Sequence, residues 1–383
     1  MTAPARRSRT AAAVAAPADR ARGLLAVLGT HAQNADRSGR LTAPILSALS
    51  AAGLFRLGAP EHAGGSAADS TTIAETVAVL AEEHASTAWV VGSFAQAAAR
   101  LAAETTPSTP SLIDGASAPL VCESPVVGGE AEKASGGYRI HGQWHSVPGS
   151  AHADLFIGSV ALPAGEAGEV ARVLLPMSAV VRHETWGASG LRGASADTIA
   201  AEGVFVAEGD LRRDGPRRGY DPGQALVPAA TVVGAAAGAL DHALAVVRSR
   251  PWFGTTYETA AESPTIQGLL SDAAMHLSGA RLHLRRAAAT MDRARVVGTP
   301  LSPAARARCR LDLAGATSSS VAAMAALMST VGAEAVAESA PFERAERDIR
   351  TLSRHGAVDP LTAREAFGRF LLADDGPLHD IAL

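Results

Sequence analysis

The sequence predicts an α+β protein with a helical N-terminal domain, a middle antiparallel β domain and a C-terminal four-helix bundle. Three observations predict it. The hydrophobic period is helical at both ends of the chain and switches to two in the middle. The switches coincide with stretches rich in Pro, Gly and Ser. And 383 residues, 47% hydrophobic and 19% charged, suffice to bury large apolar cores.

At the N-terminal end, Leu24, Leu25, Val27 and Leu28, then Ile45, Leu46 and Leu49, recur at helical spacing. A further run leads from Ile73 to Ala81 and on to Trp89 and Val90. Pro44, Pro60 and the turn at Gly64-Gly65 punctuate these helices. The helical domain is expected over 18–118, after a short disordered arm over 1–17. Arg6, Arg7 and Arg9 precede an Ala/Val run in that arm that is too short for a signal peptide. The stretch 107–119, rich in Ser, Thr and Pro, reads as a linker.

The β domain is expected over 119–214. Tyr138, Ile140 and Trp144 alternate with polar residues. Short apolar runs at 155–157, 173–175 and 204–206 are bounded by Gly, Pro or charge. Beyond Pro222 the helical period returns, and the bundle is expected over 215–383. Its helices are predicted at 225–248, 265–294, 303–331, 342–354 and 361–371. Arg285-Arg286 read as part of a solvated face.

A formal net charge of −4 gives no electrostatic footprint for nucleic acid. No apolar run approaches the length of a membrane span, so no membrane partner is expected. The two cysteines, Cys122 and Cys309, form no metal spacing and no disulfide framework. No metal site and a cytoplasmic location are the expectations.

Several motifs occur in one order. Ala52-Gly53-Leu54-Phe55-Arg56-Leu57 is followed by Pro60 and Gly64-Gly65. Ala85-Ser86-Thr87-Ala88-Trp89-Val90 comes next. Gly136-Gly137-Tyr138-Arg139-Ile140-His141-Gly142-Gln143-Trp144 lies in the middle. Trp186, Gly190-Leu191-Arg192-Gly193 and Val204-Phe205-Val206 follow. Arg347-Asp348, His355 and Gly368 lie near the end. Together, over 20–372, they resemble the acyl-CoA dehydrogenase superfamily and, within it, the branch of two-component flavin-dependent monooxygenases.

The resemblance implies an acyl-CoA dehydrogenase-like fold and an oxidoreductase that oxygenates a small aromatic or amine substrate. Reduced FAD or FMN would come from a separate flavin reductase. No Gly-rich nicotinamide motif follows a strand here, in keeping with that division of labour. His355 is the implied catalytic residue, as a base or as a hydrogen-bond partner of the reacting oxygen. The implied cofactor-binding residues are Trp144, Ser146, Val147 and Gly149 on one strand, with Ser195. Arg250 and Phe253 belong to an R-x-x-F-G element that reaches a neighbouring subunit's cofactor. Gln267 and Gly332 stand at the dinucleotide end. Trp89, Ser93, Phe94 and Gln96 are the implied substrate pocket. Arg347 and Asp348 read as a structural ion pair or cap, and His152 as fold support. A homotetramer or homodimer is expected.

The chain departs from the pattern in two places. Pro148 stands where relatives carry Ser or Thr, and proline offers neither hydroxyl nor N–H. Ala194-Ser195-Ala196 stands for Thr-Gly-Ser. Two alternatives stay open on this reading. One is a dehydrogenase of CoA- or carrier-bound acyl groups, with Glu258 or Glu262 as base. The other is a flavin-independent enzyme or ligand-binding protein on the same fold.

Overall fold

A computed structural model describes residues 15–113, 119–163, 169–216 and 220–372. The arm expected over 1–17 lies outside these residues up to residue 14. Six helices lead the chain: α1 (Pro17–Arg22), α2 (Leu25–Ser38), α3 (Ala43–Ala51), α4 (Ser70–Ala81), α5 (Ala85–Ala103) and α6 (Thr109–Ile113). α6 lies within the stretch read as a linker. Asp69 caps α4 by accepting the Thr72 N–H at 2.8 Å. α5 is buried almost all round, from Ala85 through Ala98, so it runs through the core rather than over it.

Seven strands form one sheet: β1 (Val121–Ala134), β2 (Gly137–Val147), β3 (Leu155–Ala161), β4 (Glu169–Pro176), β5 (Val181–His183), β6 (Asp197–Ala207) and β7 (Arg212–Pro216). Their order is β5-β6-β2-β1-β3-β4-β7. The expectation of an antiparallel domain needs one correction, since β1 and β3 pair in parallel. β2 reverses the chain and is itself flanked by β1 and β6. A second reversal therefore returns β3 in the direction of β1, on the free edge of β1. The remaining pairings are antiparallel.

β1 was not legible as a strand, because Pro125, Gly128 and Gly129 interrupt its period. The glycines serve packing instead. A Cβ at Gly128 or Gly129 would lie 2.7 or 2.8 Å from the Trp144 indole. Trp144 is 1% exposed and fills that space, with its indole N–H donating to the Ser159 carbonyl at 2.9 Å.

The helical period resumes in α7 (Gly223–Ser249), α8 (Pro264–Val297), α9 (Pro303–Met328), α10 (Pro341–Leu352) and α11 (Pro360–Leu372). α7 passes close to the N-terminal helices. A Cβ on Gly234 would lie 2.1 Å from the Ala78 carbonyl, and one on Gly92 2.5 Å from Val227. α7 and α9 are long and apolar enough to cross a membrane by length and composition, contrary to the expectation that no run is. Of their most apolar windows, 61% and 50% are buried by the rest of the chain, as in core helices. The reading of Arg286 as a solvated face is also corrected. It pairs with Asp312 of α9, which is 1% exposed and also receives His283 at 3.1 Å.

Candidate functional site

The β2/β6 ladder breaks between Trp144 and Val147, where a bulge shifts the register against Asp197. Ser146 takes the left-handed conformation there, with φ of 56°. Leu191 and Ser195 do the same, at 54° and 40°. Non-glycine residues in this region are strained, and such strain concentrates at functional sites. Three of the four such residues among those described therefore frame one place: the end of β2, the turn before β6, and the start of β6.

Named contacts hold that place. Asp197 is 4% exposed and accepts from the Thr185 and Trp186 N–H groups, each at 3.1 Å, and from Arg182 at 2.7 Å. Ser150 donates to the Ser195 carbonyl at 2.8 Å. From the bundle, Asp348 accepts the Leu191 N–H and Thr351 accepts the Gly190 N–H. Arg347 bonds the Ser189 carbonyl, Asp36 and Glu343. Arg347-Asp348 thus clamp the turn 189–191. Burial pushes the Asp348 carboxyl up to about 7.

A groove of about 520 Å³ opens on the outer sheet face, within the size range of small-molecule sites. Gln143, His145 and Ser146 of β2 line it, with His183, Thr185, Trp186, Ala196 and Thr198. A row of polar contacts crosses its floor. His145 Nδ1 lies 3.0 Å from the Thr198 hydroxyl, which lies 2.8 Å from that of Thr185. Trp186 continues the lining toward the helices. Its ring centre is 5.7 Å from that of Trp89 on α5, and Trp89 meets His355 edge to face at 6.4 Å.

His355 follows α10 and caps the short turn Gly356–Val358. Its Nδ1 accepts the Ala357 N–H at 3.3 Å, so in the neutral ring the proton sits on Nε2. The residue is exposed, and partial desolvation of its ring lowers its pKa.

The structure thus brings His355 together with Trp89 and, through Trp186, with Ser146. Ser93 is half-buried one helical turn beyond Trp89. Ser195 is 2% exposed, and its hydroxyl has no partner among the described residues. The other expected residues need corrections. Trp144 and Val147 point into the core, because the bulge between them inserts an extra residue and returns Val147 to the core face, while His145 and Ser146 line the groove. Gly149 acts through shape. Its φ is 76°, its N–H donates to the Ala194 carbonyl at 2.8 Å, and a Cβ there would lie 2.5 Å from Phe94. Phe94 is accordingly a packing residue, stacked near Phe55 at 5.6 Å. Gln96 spends its amide N–H on the Gly223 carbonyl at 2.7 Å.

Arg250 and Gly332 do meet, at the far end of α7. Arg250 donates to the Thr330 carbonyl at 3.2 Å and stacks on Trp252. Phe253 is 100% exposed, and Gln267 is exposed with its amide on the Ala261 carbonyl. The His355 segment lies at the other end, where the Tyr220 hydroxyl bonds the Ala357 carbonyl. The 27 residues of α7 measure about 40 Å, so one chain does not join these two groups. Glu258 and Glu262 belong to the far end too. Glu262 closes a capping box with Thr259.

His145, Thr185, Asp197 and Thr198 were not singled out by the sequence. Period-two spacing from Ala196 to Thr198 was the signal that Thr198 shares the groove face. Asp197 gave none, because its partners come from a separate strand.

The acyl-CoA dehydrogenase C-terminal domain model matches residues 226–360. The oxygenase subunit of a flavin-dependent monooxygenase, HsaA of Rhodococcus jostii, is 26% identical over 90% of this chain and 95% of its own. The oxygenase component of an FADH2-dependent resorcinol hydroxylase from a Rhizobium is 28% identical over 88% and 89%. The structure of XiaF from a Streptomyces, in complex with FADH2 and glycerol, superposes with a TM-score of 0.86 at 25% identity, covering 94% of this chain and 96% of that one. In its helical bundle the chain is thus similar to the acyl-CoA dehydrogenase C-terminal domain, and over most of its length to flavin-dependent monooxygenase oxygenase components.

Proposed function

We propose that this protein is the oxygenase component of a two-component system, which inserts one oxygen atom of O2 into a small aromatic substrate. Reduced FAD or FMN, delivered by a separate flavin reductase, would supply the electrons and the oxygen chemistry when bound. The observation that carries the reading is continuity. Trp186 lines the sheet groove and also belongs to the aromatic wall that ends at His355. The groove suits a flavin, since it offers hydroxyls, imidazoles and the strained Ser146 backbone, with the unpartnered Ser195 hydroxyl buried at its margin. Ser146 and Thr198 would hold the ring in place of the hydroxyl that Pro148 lacks.

Trp89 and Trp186 offer edges and faces to an aromatic substrate. Trp89 is 4% exposed, so little water reaches its side of that wall. With Nδ1 taken by the Ala357 N–H, the neutral His355 ring carries its proton on Nε2. It therefore serves a phenolic oxygen as a donor rather than as the base that the resemblance offered. The dehydrogenase alternative loses its base, because no carboxylate lines the groove and Glu262 is held at the far end of α7.

The finer reading is a homotetramer, or at least a homodimer, in the cytoplasm. Arg250, Phe253, Gln267 and Gly332 would complete the site of a second copy, because the His355 segment of their own chain lies about 40 Å away along α7. Two buried free thiols suit a reducing compartment. The test is an anaerobic titration with reduced FAD and FMN, followed by mixing with 18O2 and a panel of phenols and indoles. Product carrying one 18O atom supports the reading. Absence of flavin binding in either oxidation state overturns it.

A further inference from the structure

The groove is unusual in its charge. It holds two imidazoles, His145 and His183, and no carboxylate among its lining residues. His145 is anchored rather than free, because its Nδ1 meets Thr198, which Thr185 holds in turn. That leaves Nε2 as the ring's remaining polar atom. Among the described residues His145 makes no ion pair with a carboxylate, unlike His141 and His283, which approach Glu132 and Asp312. The charges packed around it are mostly committed. On β5, Arg182 bridges Glu184 at 2.8 Å and the buried Asp197 at 2.7 Å. Asp197 also receives two backbone N–H groups. Farther along the same sheet face, His141 takes Glu132, and Glu202 stands on β6.

A two-component oxygenase must take up reduced flavin and release oxidised flavin. At neutral pH the reduced ring carries a negative charge along its N1–C2 carbonyl edge, and the oxidised ring is neutral. Neutral hydrogen-bond donors hold both forms, whereas a cationic imidazole favours the anion. Pro148 removes one such neutral donor from this groove.

We infer that His145 is a specificity-determining residue, the group by which the groove prefers reduced over oxidised flavin. The inference rests on the flavin-binding reading above. Thr198 and Thr185 position the ring, and no carboxylate among the lining residues competes with a ligand for it.

The test is anaerobic equilibrium binding of FMN and riboflavin, each reduced and oxidised, to the full chain and to His145→Gln and His145→Lys. Glutamine keeps a hydrogen bond toward Thr198 and cannot carry charge. The expected result is a loss of about tenfold in affinity for reduced FMN in His145→Gln, with less than about a twofold change for the oxidised form. His145→Lys, which restores a cation, recovers the preference. Riboflavin shows the same pattern, because it shares the ring and lacks the phosphate. An equal loss in both oxidation states overturns the inference. So does a loss confined to FMN, which would assign the imidazole to the phosphate. If the wild-type chain binds neither oxidation state, the flavin-binding reading itself fails, and the two failures are thereby distinguished.

Discussion

His355 and Asp348 sit seven residues apart and do different work. His355 meets Trp89 edge to face, and desolvation lowers its pKa from the ordinary histidine value. His355→Gln should therefore lower product formation by about a hundredfold at saturating reduced flavin, within the usual range for a lost proton-handling group. Reduced-flavin affinity should stay within about threefold of wild type, since His355 lies beyond the groove. Stopped-flow product analysis together with anaerobic titration checks both halves, and unchanged turnover would remove His355 from the chemistry. Asp348 is fully buried, with its carboxyl raised from 3.8 to about 7. An acid whose pKa is raised on folding stabilises the fold below its unfolded pKa and loses that contribution as pH climbs through the folded value. Stability should thus decline between about pH 4 and pH 7. Asp348→Asn keeps an acceptor for the Leu191 N–H and cannot ionise, so its melting temperature should gain on wild type across that window. Parallel curves would show that Asp348 does not titrate there.

At the level of elements, β2 shows why some site residues could be read from the sequence and others could not. Its pattern marks a strand, and the resemblance marks its end as the flavin-facing segment. Which face meets the ligand depends on the bulge opposite Asp197, and that bulge has no local signature. Trp144 was therefore assigned to the ligand when it fills the core, and His145 beside it was passed over. The pairing of α8 with α9 has the same character. Asp312 looks like one more charge on an apolar helix, yet it is 1% exposed and gathers Arg286, His283 and Arg308. Asp312→Ala should destabilise the chain by about 2 kcal/mol, the scale of a lost charge-assisted hydrogen bond. The half-exposed arginines recover solvation, which keeps the cost below that of a fully buried pair. The midpoint of urea unfolding measures it, and a change under about 0.5 kcal/mol would make the cluster a surface feature.

Over the whole molecule, α8 carries Met275, Leu282 and Val296 at 65%, 67% and 83% exposure, two of them seven residues apart on one face. An exposed apolar stripe of this kind on the longest helix suits burial against a second copy. Met275→Glu combined with Leu282→Glu should shift the sedimentation profile from oligomer to monomer. On the proposed assembly, in which Arg250 and Phe253 complete a neighbour's groove, it should also weaken reduced-flavin binding by at least about tenfold. A monomer with wild-type flavin affinity would show that each chain completes its own site.

The helix–sheet–helix order, the long helices after Pro222 and the resemblance to the acyl-CoA dehydrogenase superfamily were determined by the sequence alone. Hydrophobic period and turn chemistry are local properties, and the motifs are contiguous. The parallel pairing of β1 with β3, the groove face of β2, the clamp of Arg347-Asp348 on the turn at Leu191, and the joining of Trp186, Trp89 and His355 were decided only by the tertiary structure. Each of these depends on which distant segments share a surface. That choice follows from the packing of the whole core, and no window of the chain encodes it.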